Sequence, residues 1–168
     1  MSTENTATKL DKIAGLAQQI GIALESKSLF LSTAESCTGG GISQAITEVV
    51  GSSKWFDCGF VTYSNASKTE LLDIPPALIA EFGTVSVEIA TEMAKGALAN
   101  SNADIALSTT GITGPDGAVP GKPVGTVCFA WIYGHKTHTE RLVFQGDRHA
   151  VRKQTVEHAL QGLLQILS

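Results

Sequence analysis

The sequence predicts a single-domain, three-layer α/β/α sandwich around a mixed, mostly parallel sheet. Three observations predict it. Short apolar runs alternate with stretches of helical periodicity, the pattern of strands crossing over through helices. The last two strand candidates, 124–133 and 137–144, are joined by a tight turn at Gly134, which makes them antiparallel and the sheet mixed. The chain has 168 residues, 43% of them hydrophobic, enough for one core without metals or disulfides.

The elements follow in order. Residues 1–8 are polar and are expected to form a flexible tail, leaving 9–168 as the domain. Leu10, Ile13, Leu16, Ala17, Ile20 and Leu24 recur at helical spacing, so 9–26 is a helix. Ser28 to Thr33 is a buried strand. The small, polar segment 34–41, AESCTGGG, leads into a helix over 42–50. Cys58–Tyr63 is the second strand. Ser64 caps a helix to Leu72, and Pro75-Pro76 stops it. Residues 76–82 form one more short helical segment. Ser86 caps a helix over 87–100, and Ala103–Thr109 is the third strand. A long loop, GITGPDGAVPGKP, fills 111–123. Asp147 caps the last helix, where Val151, Val156, Ala159, Leu160, Leu163, Leu164 and Leu167 keep one face.

The charge balance narrows the function. Twelve Lys plus Arg against 16 Asp plus Glu give a net charge of −4, which argues against general nucleic-acid binding. A small anionic ligand stays open, because a local pocket can oppose the global sign. No stretch is long and apolar enough for a membrane helix, and a cytoplasmic address is expected. Cys37, Cys58 and Cys128 form no C-x-x-C and are expected to be free thiols.

If the strands at 28–33, 58–63 and 103–109 are parallel, the loops 35–41, 63–68 and 111–117 converge at one sheet edge. Ligands of open α/β sheets bind there. The first loop offers Ser36 and Cys37 as nucleophiles, with the N–H groups of Thr38, Gly39, Gly40 and Gly41 at a helix start. In isolation the thiol is the more reactive group. The second loop offers Tyr63 and Lys68; a lysine of lowered pKa can deprotonate a serine, and a tyrosine can relay the proton. The third loop presents Thr110, Gly111, Thr113 and Gly114, suited to a phosphate or ribose. Gly117 to Lys122 falls short of a P-loop, since Asp116 and Pro123 stand at required positions. His135 and His138 lack a third clustered ligand, so no metal is expected.

At these loops the chain resembles the CinA C-terminal-domain family, whose active members are nicotinamide-nucleotide amidases. The matching stretches are Ala34-Glu35-Ser36-Cys37-Thr38-Gly39-Gly40, Gly51-Ser52-Ser53 with Trp55-Phe56, and Gly59 to Asn65 with Lys68. Gly111 to Gly117, Lys122 to Val127, and Phe144 with Gly146-Asp147-Arg148 complete the pattern, which spans roughly 10 to 166. The resemblance implies hydrolysis of nicotinamide mononucleotide to nicotinate mononucleotide and ammonia. It places the nucleophile on Ser36 and its helpers on Tyr63 and Lys68, with no cofactor. Backbone groups of Cys37, Thr38, Gly39 and Gly40 would hold the oxyanion. Arg148 is a candidate for the phosphate or a structural cation. The partner is then a small-molecule nucleotide, with neither nucleic acid nor membrane; a homo-oligomer stays open. The rivals are a non-catalytic nucleotide-binding module and an amidase for another small amide.

Overall fold

The computed structural model describes the backbone over residues 3–168 and the side chains over 12–168. The chain runs α1 (Thr3–Ser26), β1 (Leu31–Glu35), α2 (Gly41–Thr47), β2 (Phe56–Val61), α3 (Asn65–Leu72), α4 (Pro76–Phe82) and α5 (Val87–Ala99). It continues through β3 (Ile105–Gly111), β4 (Thr126–Tyr133), β5 (Lys136–Val143) and α6 (Arg148–Leu167). Of the tail expected at 1–8, Met1 and Ser2 lie outside the described residues, and residues 3–8 belong to α1.

The sheet has the order β2-β1-β3-β4-β5. β1 pairs in parallel with β2 and with β3, while β3–β4 and β4–β5 are antiparallel. Only β4 therefore runs against the other four strands. Residue size decides which helices lie on each face. Leu31, Leu107, Phe129 and Trp131 project toward α1, α2 and α6. Ala34, Ala106, Cys128 and Ala130 project the other way, and these small side chains let the alanine-rich α5 pack close, joined by α3 and α4.

Local caps set the helix starts. Ser64, Ser86 and Asp147 each accept a hydrogen bond from the backbone N–H three residues on, as expected at an N-cap. β1 is displaced from its expected place at 28–33. Ser28 has φ of +54°, which a strand cannot contain, and pairing begins at Leu31. It then runs through Ser32, Thr33 and Glu35, polar but fully buried, so the apolar run marked only its first half.

Gly162 shows how tightly α6 seats on the sheet. The Trp131 indole N–H donates to the Ala159 carbonyl at 3.0 Å, which fixes the ring beneath Gly162. A Cβ there would overlap the indole. Gly162→Ala is expected to lose about 1–3 kcal/mol of stability through overpacking. The check is a lower urea midpoint at unchanged m-value.

Candidate active site

β1 is the topological switch point. Its crossover to β2 passes through α2 on one face, and the return from β2 to β3 passes through α3, α4 and α5 on the other. In open α/β sheets the carboxyl end of such a strand is where ligands bind. The neighbouring strands stay pinned there: the Ser36 N–H donates to the Thr109 carbonyl at 2.9 Å, and Thr62 N–H to the Glu35 carbonyl at 2.9 Å. The three loops expected to converge do converge.

Ser36 follows β1 directly and is 7% exposed. Lys68 lies in the first turn of α3, and its side chain turns back beneath the loop, fully buried. Its Nζ lies 3.0 Å from Ser36 Oγ, 2.7 Å from the Thr62 carbonyl and 3.2 Å from the Tyr63 carbonyl. No carboxylate pairs with it among the described residues. Burial therefore lowers its pKa to about 8. In the neutral amine, two N–H bonds satisfy the two carbonyls. The lone pair is left for the Ser36 hydroxyl, which then donates to it.

Cys37 faces the opposite way. Its side chain belongs to the core beneath α1, α2 and α6, against Gly111, where an added Cβ would sit 3.2 Å from Sγ. Burial pushes the thiol up to about 12. Desolvation outweighs any help from the short helix that follows, and the thiol is held in its un-ionised, unreactive form. The reactivity ordering read from the isolated residues is thus reversed by their directions.

Glu35, fully buried, is the residue that sequence reasoning missed. Its carboxylate accepts from Thr38 Oγ1 at 2.7 Å, from Ile42 and Ser43 N–H at 2.8 and 3.0 Å, and from Ser43 Oγ at 2.7 Å. The start of α2 is thereby filled by an internal anion. Gly39 N–H donates to the Ser36 carbonyl and Gly41 N–H to the Thr38 carbonyl. Of the N–H groups expected for an oxyanion, those of Gly39 and Gly41 are therefore spent within the loop. Among the described residues, the N–H groups of Cys37, Thr38 and Gly40 have no hydrogen-bond partner. Two consecutive positive-φ glycines, Gly39 (+59°) and Gly40 (+98°), make this turn.

The third loop divides its expected tasks. Thr110 Oγ1 donates to the Thr84 carbonyl at 2.9 Å, and Gly111 packs against Val127; both are structural. Thr113, 5% exposed, has a hydroxyl with no partner among the described residues. Gly114 supplies a carbonyl to Arg148 Nη1 at 2.8 Å, and Arg148 Nη2 donates to the Tyr63 hydroxyl at 2.9 Å. Tyr63 is thus at the rim, 61% exposed; its phenol meets Arg148 and its carbonyl meets Lys68. None of the four histidines hydrogen-bonds to Ser36 or Lys68 among the described residues; His138 and His158 both face Glu140, on β5. A separate groove of about 520 Å³ between α1, α2 and α6 has Thr38 and Arg152 in its wall but neither Ser36 nor Lys68. Among the described residues no cluster of three or more His, Cys, Asp or Glu is placed to hold a metal ion, and no helix is long and apolar enough to cross a membrane.

Fold and site together define a class: a three-layer α/β protein with a buried serine–lysine pair at the switch point of its sheet. The chain belongs to the CinA C-terminal domain family, which it matches over residues 13–167. It is 52% identical over 157 residues to a nicotinamide-nucleotide amidohydrolase PncC of Pseudomonas putida, covering 94% of this chain and 98% of that one. The protein of the same name from Escherichia coli K12 is 47% identical, with 89% and 92% covered. A solved structure, the competence/damage inducible protein CihA of Agrobacterium tumefaciens, superposes with a TM-score of 0.91 at 39% identity, with 94% and 96% covered.

Proposed function

We propose that this chain is an amidohydrolase that converts nicotinamide mononucleotide to nicotinate mononucleotide and ammonia, with Ser36 as nucleophile and Lys68 as base. The observation that carries the mechanism is the uncompensated, buried amine 3.0 Å from a serine hydroxyl. The names and near-complete coverage of the relatives support the substrate. Ser36 Oγ attacks the carboxamide carbon as Lys68 takes its proton. The N–H groups of Cys37, Thr38 and Gly40 are the free donors for the oxyanion. When the C–N bond breaks, Lys68 returns the proton to the departing ammonia. Water, deprotonated by the same amine, then cleaves the acyl-enzyme. The phenol's bond to Arg148 supports proton transfer directly to Lys68 rather than through Tyr63.

The experiment is ammonia release from purified protein offered nicotinamide mononucleotide, nicotinamide riboside and free nicotinamide. Turnover of none overturns the proposal. Arg148, on the exposed rim and tied to both neighbouring loops, is the guanidinium available to a phosphate. Losing one charge-assisted contact costs roughly 1.5–3 kcal/mol. The riboside is therefore expected to show kcat/KM about 10- to 100-fold below the mononucleotide. Equal values would remove the phosphate site.

A further inference from the structure

The mechanism leaves one half-buried cation unused. Arg152 lies on α6, one turn after Arg148, and reaches the opposite side of the 36–41 loop. Its Nε donates to the Cys37 carbonyl at 3.2 Å and its Nη2 to the Thr38 carbonyl at 3.3 Å. Among the described residues it pairs with no carboxylate, so its charge acts on these carbonyls without neutralisation. Gly39 makes room for it, since an added Cβ there would stand 3.2 Å from Nη2.

We infer that Arg152 is a positioning residue for the oxyanion: by holding the Cys37 and Thr38 carbonyls it orients and polarises the peptide groups whose N–H ends belong to Thr38 and Gly39. A peptide plane is rigid, so fixing the carbonyl end fixes the direction of the N–H end. A positive charge on the oxygen also draws density from the nitrogen, and hydrogen bonds in such a chain strengthen one another. The Thr38 N–H is one of the free donors beside Ser36, and the Gly39 N–H, bonded to the Ser36 carbonyl, braces the nucleophile's own residue. Glu35 holds the same loop from the far end through Thr38, Ile42 and Ser43. The loop is gripped by an anion on its donors and a cation on its acceptors, with the remaining N–H groups left free.

This inference rests on the Ser36 reading above, and its test separates the two. The full chain and Arg152→Gln are compared in two assays. The first is turnover of nicotinamide mononucleotide. The second is modification by an alkyl fluorophosphonate, read by intact mass: Ser36 Oγ bonds to phosphorus, the P–F bond breaks, fluoride leaves and Lys68 takes the serine proton. The phosphonyl oxygen requires the same donors whatever the natural substrate. Arg152→Gln is expected to lower kcat and the modification rate at least tenfold, with KM within about twofold. Millimolar guanidinium should restore part of the Arg152→Gly rate, which an equal concentration of sodium chloride should not. Lys153→Gln, a neighbouring cation in the same groove wall with no carbonyl partner among the described residues, should leave both rates unchanged. Rates in Arg152→Gln within twofold of the parent overturn the inference. So does a loss accompanied by a fallen melting temperature and no guanidinium rescue, which marks a structural cation. A parent that is modified at Ser36 but does not hydrolyse the mononucleotide overturns the substrate alone, and the modification rates still decide the fate of Arg152. A parent not modified at all overturns the Ser36 reading and this inference together.

Discussion

Ser36→Ala is expected to lower kcat by roughly 10⁴- to 10⁶-fold, the scale seen when a hydrolase loses its nucleophile. The adjacent Cys37→Ala is expected to keep most of the activity. The contrast is large because the two side chains leave β1 in opposite directions. Ser36 Oγ meets the lysine amine, whereas Cys37 is buried in the core with its thiol pushed up to about 12. Removing that sulfur leaves a small cavity and costs stability, on the order of 1–2 kcal/mol. It removes no reacting group. Iodoacetamide should inactivate the parent only slowly, since a buried thiol offers little thiolate. An inactive Cys37→Ala that is still folded, beside an active Ser36→Ala, would make this a cysteine amidase.

What could be read from the sequence was what is decided locally. Ser64, Ser86 and Asp147 cap their helices through a side chain and an N–H three residues away, so residue type and position suffice. The convergence of three loops followed from taking the first three strands as parallel, joined by right-handed crossovers. β1 was displaced because its second half buries polar side chains that satisfy one another: Thr33 with Ser43, and Glu35 with the start of α2. Hydrophobic patterning has no signal for that. Glu35 was hidden for the same reason, inside a segment that looked like loop. Arg152 was hidden by distance, since its carbonyl partners lie more than a hundred residues away. The structure brings Tyr63 to the rim beside Lys68, but which neighbour its phenol meets depends on Arg148, at the start of α6. The direction of Cys37 likewise needed the sheet, because helix-start chemistry alone predicts a more reactive thiol.

Lys68→Met is expected to lower kcat by about 10²- to 10⁴-fold, the usual contribution of a general base, while making the folded protein more stable near neutral pH. The two effects share one cause. Burial holds the folded pKa near 8, below the ordinary value of 10.5, so folding disfavours the proton. Below pH 8 the folded chain must bury an ammonium that has no carboxylate partner among the described residues, which costs roughly 3 kcal/mol for a shift of this size. Between pH 8 and 10.5 the unfolded chain binds more protons than the folded one, so the parent gains stability as pH rises through that window. Methionine fills the same space without a charge and escapes the penalty. The melting-temperature advantage of Lys68→Met should be full at pH 7 and shrink toward pH 10.5. Activity runs with the same proton. Only the neutral amine can accept from Ser36, so kcat/KM of the parent should climb with pH to a plateau above an apparent pKa near 8. In kcat the apparent pKa should fall further, because the pyridinium of the bound substrate repels the ammonium. A flat profile from pH 6 to 9, or a Lys68→Met variant with parental turnover, would take the base away from Lys68.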